Sequence, residues 1–117
     1  MNLDEMKCAV VDALEDIKAR DIVVLDVSKL TSLCDVMIVA SADSPRQTKA
    51  LAVNVQEKLK QLGAEVCGVE GEEAGEWILV DLGDVVVHIM QPAVRDYYDL
   101  ESLWGGSRFR RPMAARG

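Results

Sequence analysis

His88 is the only histidine in this 117-residue chain, so a histidine-based nucleophilic device must use it. A Ser-His-Asp or Cys-His device would take Asp81 as the group that orients the ring. No serine stands on a Gly-x-Ser-x-Gly elbow. Cys8, Cys34 and Cys67 are odd in number, widely spaced and form no Cys-x-x-Cys pair. With one histidine for company they read as buried free thiols of a reducing compartment, not as metal ligands. Two-metal nucleotidyl transfer needs carboxylates placed together and a phosphate-cradling loop. Asp26, Asp35, Asp81 and Asp84 are instead scattered over strand ends, with no Asp-x-Asp pair anywhere. Ser41-Ala42-Asp43-Ser44, the nearest thing to a phosphate loop, lacks glycine and carries an acid. Asp43 and Ser44 read better as caps of the helix that follows. The residue types therefore imply no cofactor, no metal and no catalysis.

The alternative chemistry is recognition, and its residues lie between Gly75 and Gly105. Trp77 to Leu82 and Val85 to Met90 are two runs of β-formers around Gly83-Asp84. A two-residue glycine-containing loop favours a hairpin in which 82 pairs with 85, 80 with 87, 79 with 88 and 77 with 90. Strand side chains alternate. One face then holds Ile78, Val80, Leu82, Val85, Val87 and Ile89, and wants a core. The other holds Trp77, Leu79, Asp81, Val86, His88 and Met90, an unusual set for a second core layer and more like a contact surface. Trp77 reads either as a core residue covered by the last helix or as a partly exposed anchor, and its neighbours favour the anchor. His88 reads either as completing a hydrogen-bond network under the interface or as a direct contact. Tyr97 and Tyr98 point about 100° apart on a helix, so one packs inward while the other projects. Arg95 has Asp99 and Glu101 as local ion-pair partners. The predicted docking face is Trp77, Leu79, Asp81, His88 and Met90, extended by Tyr98; Trp and Tyr join large contact area to a polar handle.

The elements that position this face follow from periodicity. Leu3, Met6, Val10, Leu14 and Ile17 form a helical stripe from about 3 to 19, with Asn2 as N-cap. Ile22 to Val27 and Val36 to Ala40 read as strands, antiparallel because their connection is short. Ser44-Pro45 starts a helix carrying Leu51, Val55, Leu59 and Leu62, and Gly63 stops it. Ala64 to Glu70 reads as a third strand, reached by a link long enough for a right-handed crossover. Gly71 to Gly75 is an acidic turn. Pro92 opens a last helix or pair of short helices, with Leu100, Leu103 and Trp104 apolar. The order α-β-β-α-β-β-β-α predicts an α/β (α+β mixed) single domain: a mixed five-stranded sheet with flanking helices over 1–105, then a basic tail over 106–117.

Composition agrees. Half the residues are apolar, which argues against disorder over most of the chain. The size suffices for a core without staples. No apolar run approaches the roughly 20 residues that cross a bilayer, and acids stand where a signal peptide needs bases, so a cytoplasmic protein is expected. The net charge of −7 is uneven. All 20 acids lie in 1–107 against nine bases, leaving −11, while Arg108, Arg110, Arg111 and Arg116 add +4. An acidic body argues against direct phosphate-driven nucleic-acid binding and suits a basic protein partner. The tail reads as a solubilising end or as a transient RNA contact.

Glu76-Trp77, Val80 to Val85, Val87-His88, Met90-Gln91, Arg95, Tyr98, Leu100-Glu101 and Leu103-Trp104 resemble the ribosomal silencing factor (Iojap-like) family. So do Asp21-Ile22, Leu25-Asp26-Val27 and Asp35 through Ser44-Pro45-Arg46. The resemblance covers about residues 3–105. It departs after the second strand, where the family usually has Gly-Thr-Ser-Ser-Arg-His and this chain has Ser41-Ala42-Asp43-Ser44-Pro45-Arg46-Gln47. The resemblance implies an architecture related to nucleotidyltransferases without their catalytic motifs. It further implies a non-enzymatic factor that docks on a large-subunit ribosomal protein, the fourteenth of the large-subunit series, and sterically blocks subunit joining. Two other classes remain: a vestigial nucleotide-binding domain, and a plain dimerisation module pairing through the same sheet face. Ribosome co-sedimentation, nucleotide-induced thermal shift and concentration-dependent mass separate the three.

Overall fold

A computed structural model describes residues 1–100 and 102. Glu101, Leu103, Trp104, the Gly105-Gly106 boundary and the Arg-rich tail lie outside the described residues. The elements are α1 (Leu3–Asp16), β1 (Arg20–Asp26), β2 (Val36–Ser41), α2 (Pro45–Gln61), β3 (Gly68–Glu70), β4 (Trp77–Asp81), β5 (Val85–Met90) and α3 (Pro92–Tyr98). The predicted order holds.

Helix α1 starts where its sequence can satisfy the first orphan N–H groups. The Asn2 side chain accepts from the Glu5 amide at 2.8 Å, and the Glu5 carboxylate accepts from the Asn2 amide at 2.9 Å, a reciprocal capping box. It ends at Asp16, short of the expected 19, because Lys18 takes a left-handed φ of 63° that no helix continues through. Helix α2 starts as predicted: Ser44 Oγ accepts from the Gln47 amide at 3.1 Å and Pro45 occupies the first turn. Asp43 does not share in that cap through its carboxylate, which pairs with Arg20 instead. Gly63, at φ 93°, follows the helix end.

The five strands form one sheet in the order β1-β2-β5-β4-β3. Strands β2 and β5 are parallel; every other neighbouring pair is antiparallel. Strand β3 is shorter than the predicted 64–70. Gly68 pairs with Asp81, the last residue of β4, and the ladder ends with the Cys67 amide, which donates to the Asp81 carbonyl at 2.8 Å. Between β3 and β4, Gly71 holds φ 87°, and a Cβ there would stand 2.1 Å from the Trp77 carbonyl oxygen. Only glycine lets that turn close onto the start of β4.

The hairpin register is the predicted one: Trp77 opposite Met90, Leu79 opposite His88, Val80 opposite Val87, with the Leu82 amide donating to the Val85 carbonyl at 2.9 Å. Its aliphatic face is buried throughout. Ile78, Val80, Val87 and Ile89 meet Leu14, Leu51, Val55 and Leu59 in one core cluster under α1 and α2.

The opposite face corrects the sequence reading. It carries a second apolar cluster of Val23, Leu25, Val27, Cys34, Met37, Val39, Met90 and Leu100, with Trp77, Val86 and Val94 packed partly against it. All six residues of β2 are buried as a result. Alternation assigns a side chain to a face; it does not say that α3 and Leu100 fold back to cover part of that face. The cysteines also differ from expectation. Only Cys34 is buried, while Cys8 and Cys67 are exposed.

Candidate partner-binding face

The row nearest the α3 end of the hairpin holds the aromatic group. Trp77 is half-buried. Its indole Nε1–H donates to His88 Nδ1 at 2.9 Å, across the diagonal of the β4–β5 ladder. His88 is 6% exposed, and burial pushes its pKa down to about 4. The ring is therefore neutral at pH 7, with Nδ1 as acceptor and the proton on Nε2. Tyr98 lies against the other side of this arrangement, its ring centroid 4.8 Å from that of Trp77 at 49°. Tyr97 meets Tyr98 edge-on at 5.0 Å and is 82% exposed. Neither tyrosine packs inward as one was expected to; Tyr98 leans on Trp77 and Tyr97 projects.

The six predicted docking residues thus fall into two layers. Trp77, Leu79 and Asp81 are partly exposed along β4, and Tyr98 is exposed beside Trp77. Met90 is fully buried and His88 nearly so. Met90 belongs to the second apolar cluster, and His88 is bonded to the Trp77 indole. They hold the surface residues from beneath. Asp81 accepts the Gly83 amide at 2.8 Å, an Asx-type closure of the hairpin turn. Asp35 and Asp84 stand nearby. With Asp81 they raise the Cys34 thiol pKa, after the larger effect of burial. The turn end of the face is consequently acidic.

Sequence reasoning placed Arg95 in an exposed local ion pair. Its side chain is not exposed as that reading assumed: it is 6% exposed, and its Nη1 donates to the buried Ser41 Oγ at 2.7 Å. The signals available were its place among the residues that carry the family resemblance and its position three residues before Tyr98. Tyr97, outside the predicted face, is exposed and lies beside Tyr98 on the surface.

The arrangement offers little to a catalytic reading. His88 faces Trp77, and the Asp81 carboxylate serves the turn. In the loop read as a possible phosphate cradle, Ser41 takes Arg95, Asp43 takes Arg20 and Ser44 caps α2. Among the described residues, no three His, Cys, Asp or Glu side chains gather in a metal-binding group. A cleft of about 660 Å³ lies on the helix side, lined by Asp4, Glu5, Cys8, Lys58 and Leu62, away from these residues. No helix among the described residues is long and apolar enough to cross a membrane.

Trp77, bonded to a buried His88 and stacked by Tyr98, leaves a partly exposed aromatic surface beside α3. The model of the family "Ribosomal silencing factor during starvation" matches residues 1–114. A Chromobacterium violaceum protein named ribosomal silencing factor RsfS is 61% identical over 108 residues, which cover 92% of this chain and 88% of that protein. A mouse protein named mitochondrial assembly of ribosomal large subunit protein 1 is 34% identical over 97 residues, 80% of this chain and 42% of its own length. A crystal structure of a Chromobacterium violaceum protein superposes with a TM-score of 0.89 at 59% identity, covering all of this chain and 95% of that one. The chain belongs to the ribosomal silencing factor family. The family ties it to ribosome-associated regulation of translation and is not one of known enzymes.

Proposed function

We propose that this protein binds the large ribosomal subunit through its fourteenth ribosomal protein and so keeps the small subunit from joining. It acts by occupying space, with no turnover and no nucleotide. The contact surface is Trp77, Leu79, Asp81 and Tyr98, with His88 and Met90 as the layer that holds them. The observation that carries this is the Trp77 geometry. Its polar edge is satisfied inward by His88 and its flank is stacked by Tyr98, so the indole is pre-set with little entropy left to lose on binding. An acidic chain with acids around the hairpin turn favours a basic ribosomal partner and speeds encounter with it. The mouse relative's name, which refers to large-subunit assembly, supports that subunit as the target. The setting is the cytoplasm, and direct nucleic-acid recognition plays no part in the docking.

The test is large-subunit co-sedimentation and subunit joining for Trp77→Ala and Tyr98→Ala, with melting midpoints alongside. A hot-spot tryptophan costs about 2 kcal/mol or more on truncation, roughly thirtyfold in affinity. Binding at wild-type strength by both variants places the docking face elsewhere. A mass that doubles with concentration, with the free dimer lost as the subunit is added, would identify self-pairing through the same face as a competitor.

A further inference from the structure

Helix α3 has seven residues, far fewer than the length at which a helix sustains itself in water. Gln91 at its N-cap gives no side-chain cap bond, and Asp99, at φ 48°, ends it directly after Tyr98. Its own backbone therefore does little to fix where Tyr98 lies. The sheet beneath supplies the fixing. Ser41, Met90 and Trp77 form one row across β2, β5 and β4, since Ser41 pairs with Met90 and Met90 with Trp77. Neighbouring strands are about 4.8 Å apart, so the ends of the row are separated by roughly 10 Å. Helix α3 meets both ends. Arg95 reaches Ser41 Oγ at 2.7 Å, and Tyr98 stacks on Trp77 at 4.8 Å. Residues three apart lie on one helix face, about 4.5 Å apart along the axis, and their long side chains span the rest. Met90, between the ends, is fully buried.

We propose that Arg95 is a positioning residue for docking: its guanidinium, anchored on Ser41, sets the pose of α3 and thereby holds Tyr98 against Trp77. The proposal rests on the docking face given under the proposed function. Burying a cation is costly unless it is well hydrogen-bonded, and a purely structural helix of this length could be docked by an apolar side chain at the same position. The planar guanidinium fork fixes direction as well as distance, which a lysine does not.

The test is made in full-length protein carrying Trp104→Phe, which leaves Trp77 as the single tryptophan. Near-ultraviolet circular dichroism then reads the Trp77–Tyr98 pair, and co-sedimentation reads large-subunit affinity. Arg95→Met is expected to reduce the Trp77 signal to that of Tyr98→Ala and to weaken binding about tenfold or more, with Arg95→Lys in between. Because Arg95 acts through Tyr98, adding Arg95→Met to Tyr98→Ala should cost less than about a further twofold. A folded Arg95→Met protein with the native Trp77 signal overturns the proposal, as do losses that multiply in the double variant. If Arg95→Met does not fold, Ser41→Ala removes only the acceptor, and an unchanged signal with unchanged binding then overturns it. Wild-type binding by both Trp77→Ala and Tyr98→Ala would refute the docking face alone, and the Trp77 signal would still decide the tether.

Discussion

Acidification should loosen the tryptophan before it unfolds the protein, and the size of the effect follows from His88. In the folded chain its pKa is about 4 because the ring is buried. In the unfolded chain it returns to about 6.5. A base whose folded pKa is depressed contributes stability fully above the unfolded value and loses it as pH falls toward the folded one. The window is therefore from about pH 6.5 down to about pH 4. Each pH unit inside it is worth about 1.4 kcal/mol, so the stability lost between pH 7 and pH 5 comes to roughly 2 kcal/mol. That is a large share of a total near 5–15 kcal/mol. The proton also has a structural consequence. A proton taken up on Nδ1 removes the acceptor of the Trp77 indole N–H, so the Trp77 pose and the stability fail together. Urea titrations at pH 7, 6 and 5 on wild type and His88→Gln measure this, because glutamine keeps an acceptor and loses the titration. Wild type should lose about 2 kcal/mol more than the variant over that range. Parallel pH profiles for the two proteins, or an imidazole that titrates near 6.5 by NMR, would refute the argument.

Val80 is fully buried opposite Val87 on the aliphatic face. Val80→Asp places an unpaired carboxylate there, at a cost of several kcal/mol, and soluble folded protein should be lost; a native melting midpoint would mean the burial is misassigned. Replacing Cys8, Cys34 and Cys67 together by Ala should leave large-subunit binding intact. Cys34 is the only buried member, so the stability cost should be about 1 kcal/mol. Stoichiometric metal in the purified protein, or binding abolished by a chelator, would show that the thiols do more than pack.

The hairpin was legible because its information is local. A two-residue loop and strict alternation fix the register, and the register fixes which side chains share a face. What alternation does not encode is how much of a face another element covers. Met90 and His88 share a face with Trp77 and so read as surface, yet Met90 packs in a cluster with Leu100 and His88 is buried with the Trp77 indole bonded to it. The same gap hid Arg95. An arginine in a short helix reads as solvated, and its hydrogen bond to Ser41, 54 residues earlier in the chain, is not local information. Strand β3 was overextended for a related reason. Its apolar run continues back to Ala64, but the strand can only be as long as its β4 partner, which ends at Asp81.

Covering the second face has a consequence for how binding and stability separate. Among the described residues, the main core under α1 and α2 contains no aromatic side chain. The second cluster is smaller, and Trp77 only packs against its edge. Truncating Trp77 therefore removes a half-exposed flank and not a core member, so folding should lose less than binding does. His88 and Met90 carry the opposite weighting. Both are buried, and a change at either moves the surface residues only by disturbing the layer beneath them. The two layers make opposite demands on substitution. On the proposed docking face, substitution of the surface residues should spare the fold and weaken binding, whereas substitution of the supporting residues should impair both. Measured side by side, affinity and melting midpoint should place Trp77 and Tyr98 in one group and His88 and Met90 in the other. A Tyr98→Ala protein that melts as far below wild type as a Met90→Ala protein would show that the aromatic flank is part of the core, and that the division into layers is wrong.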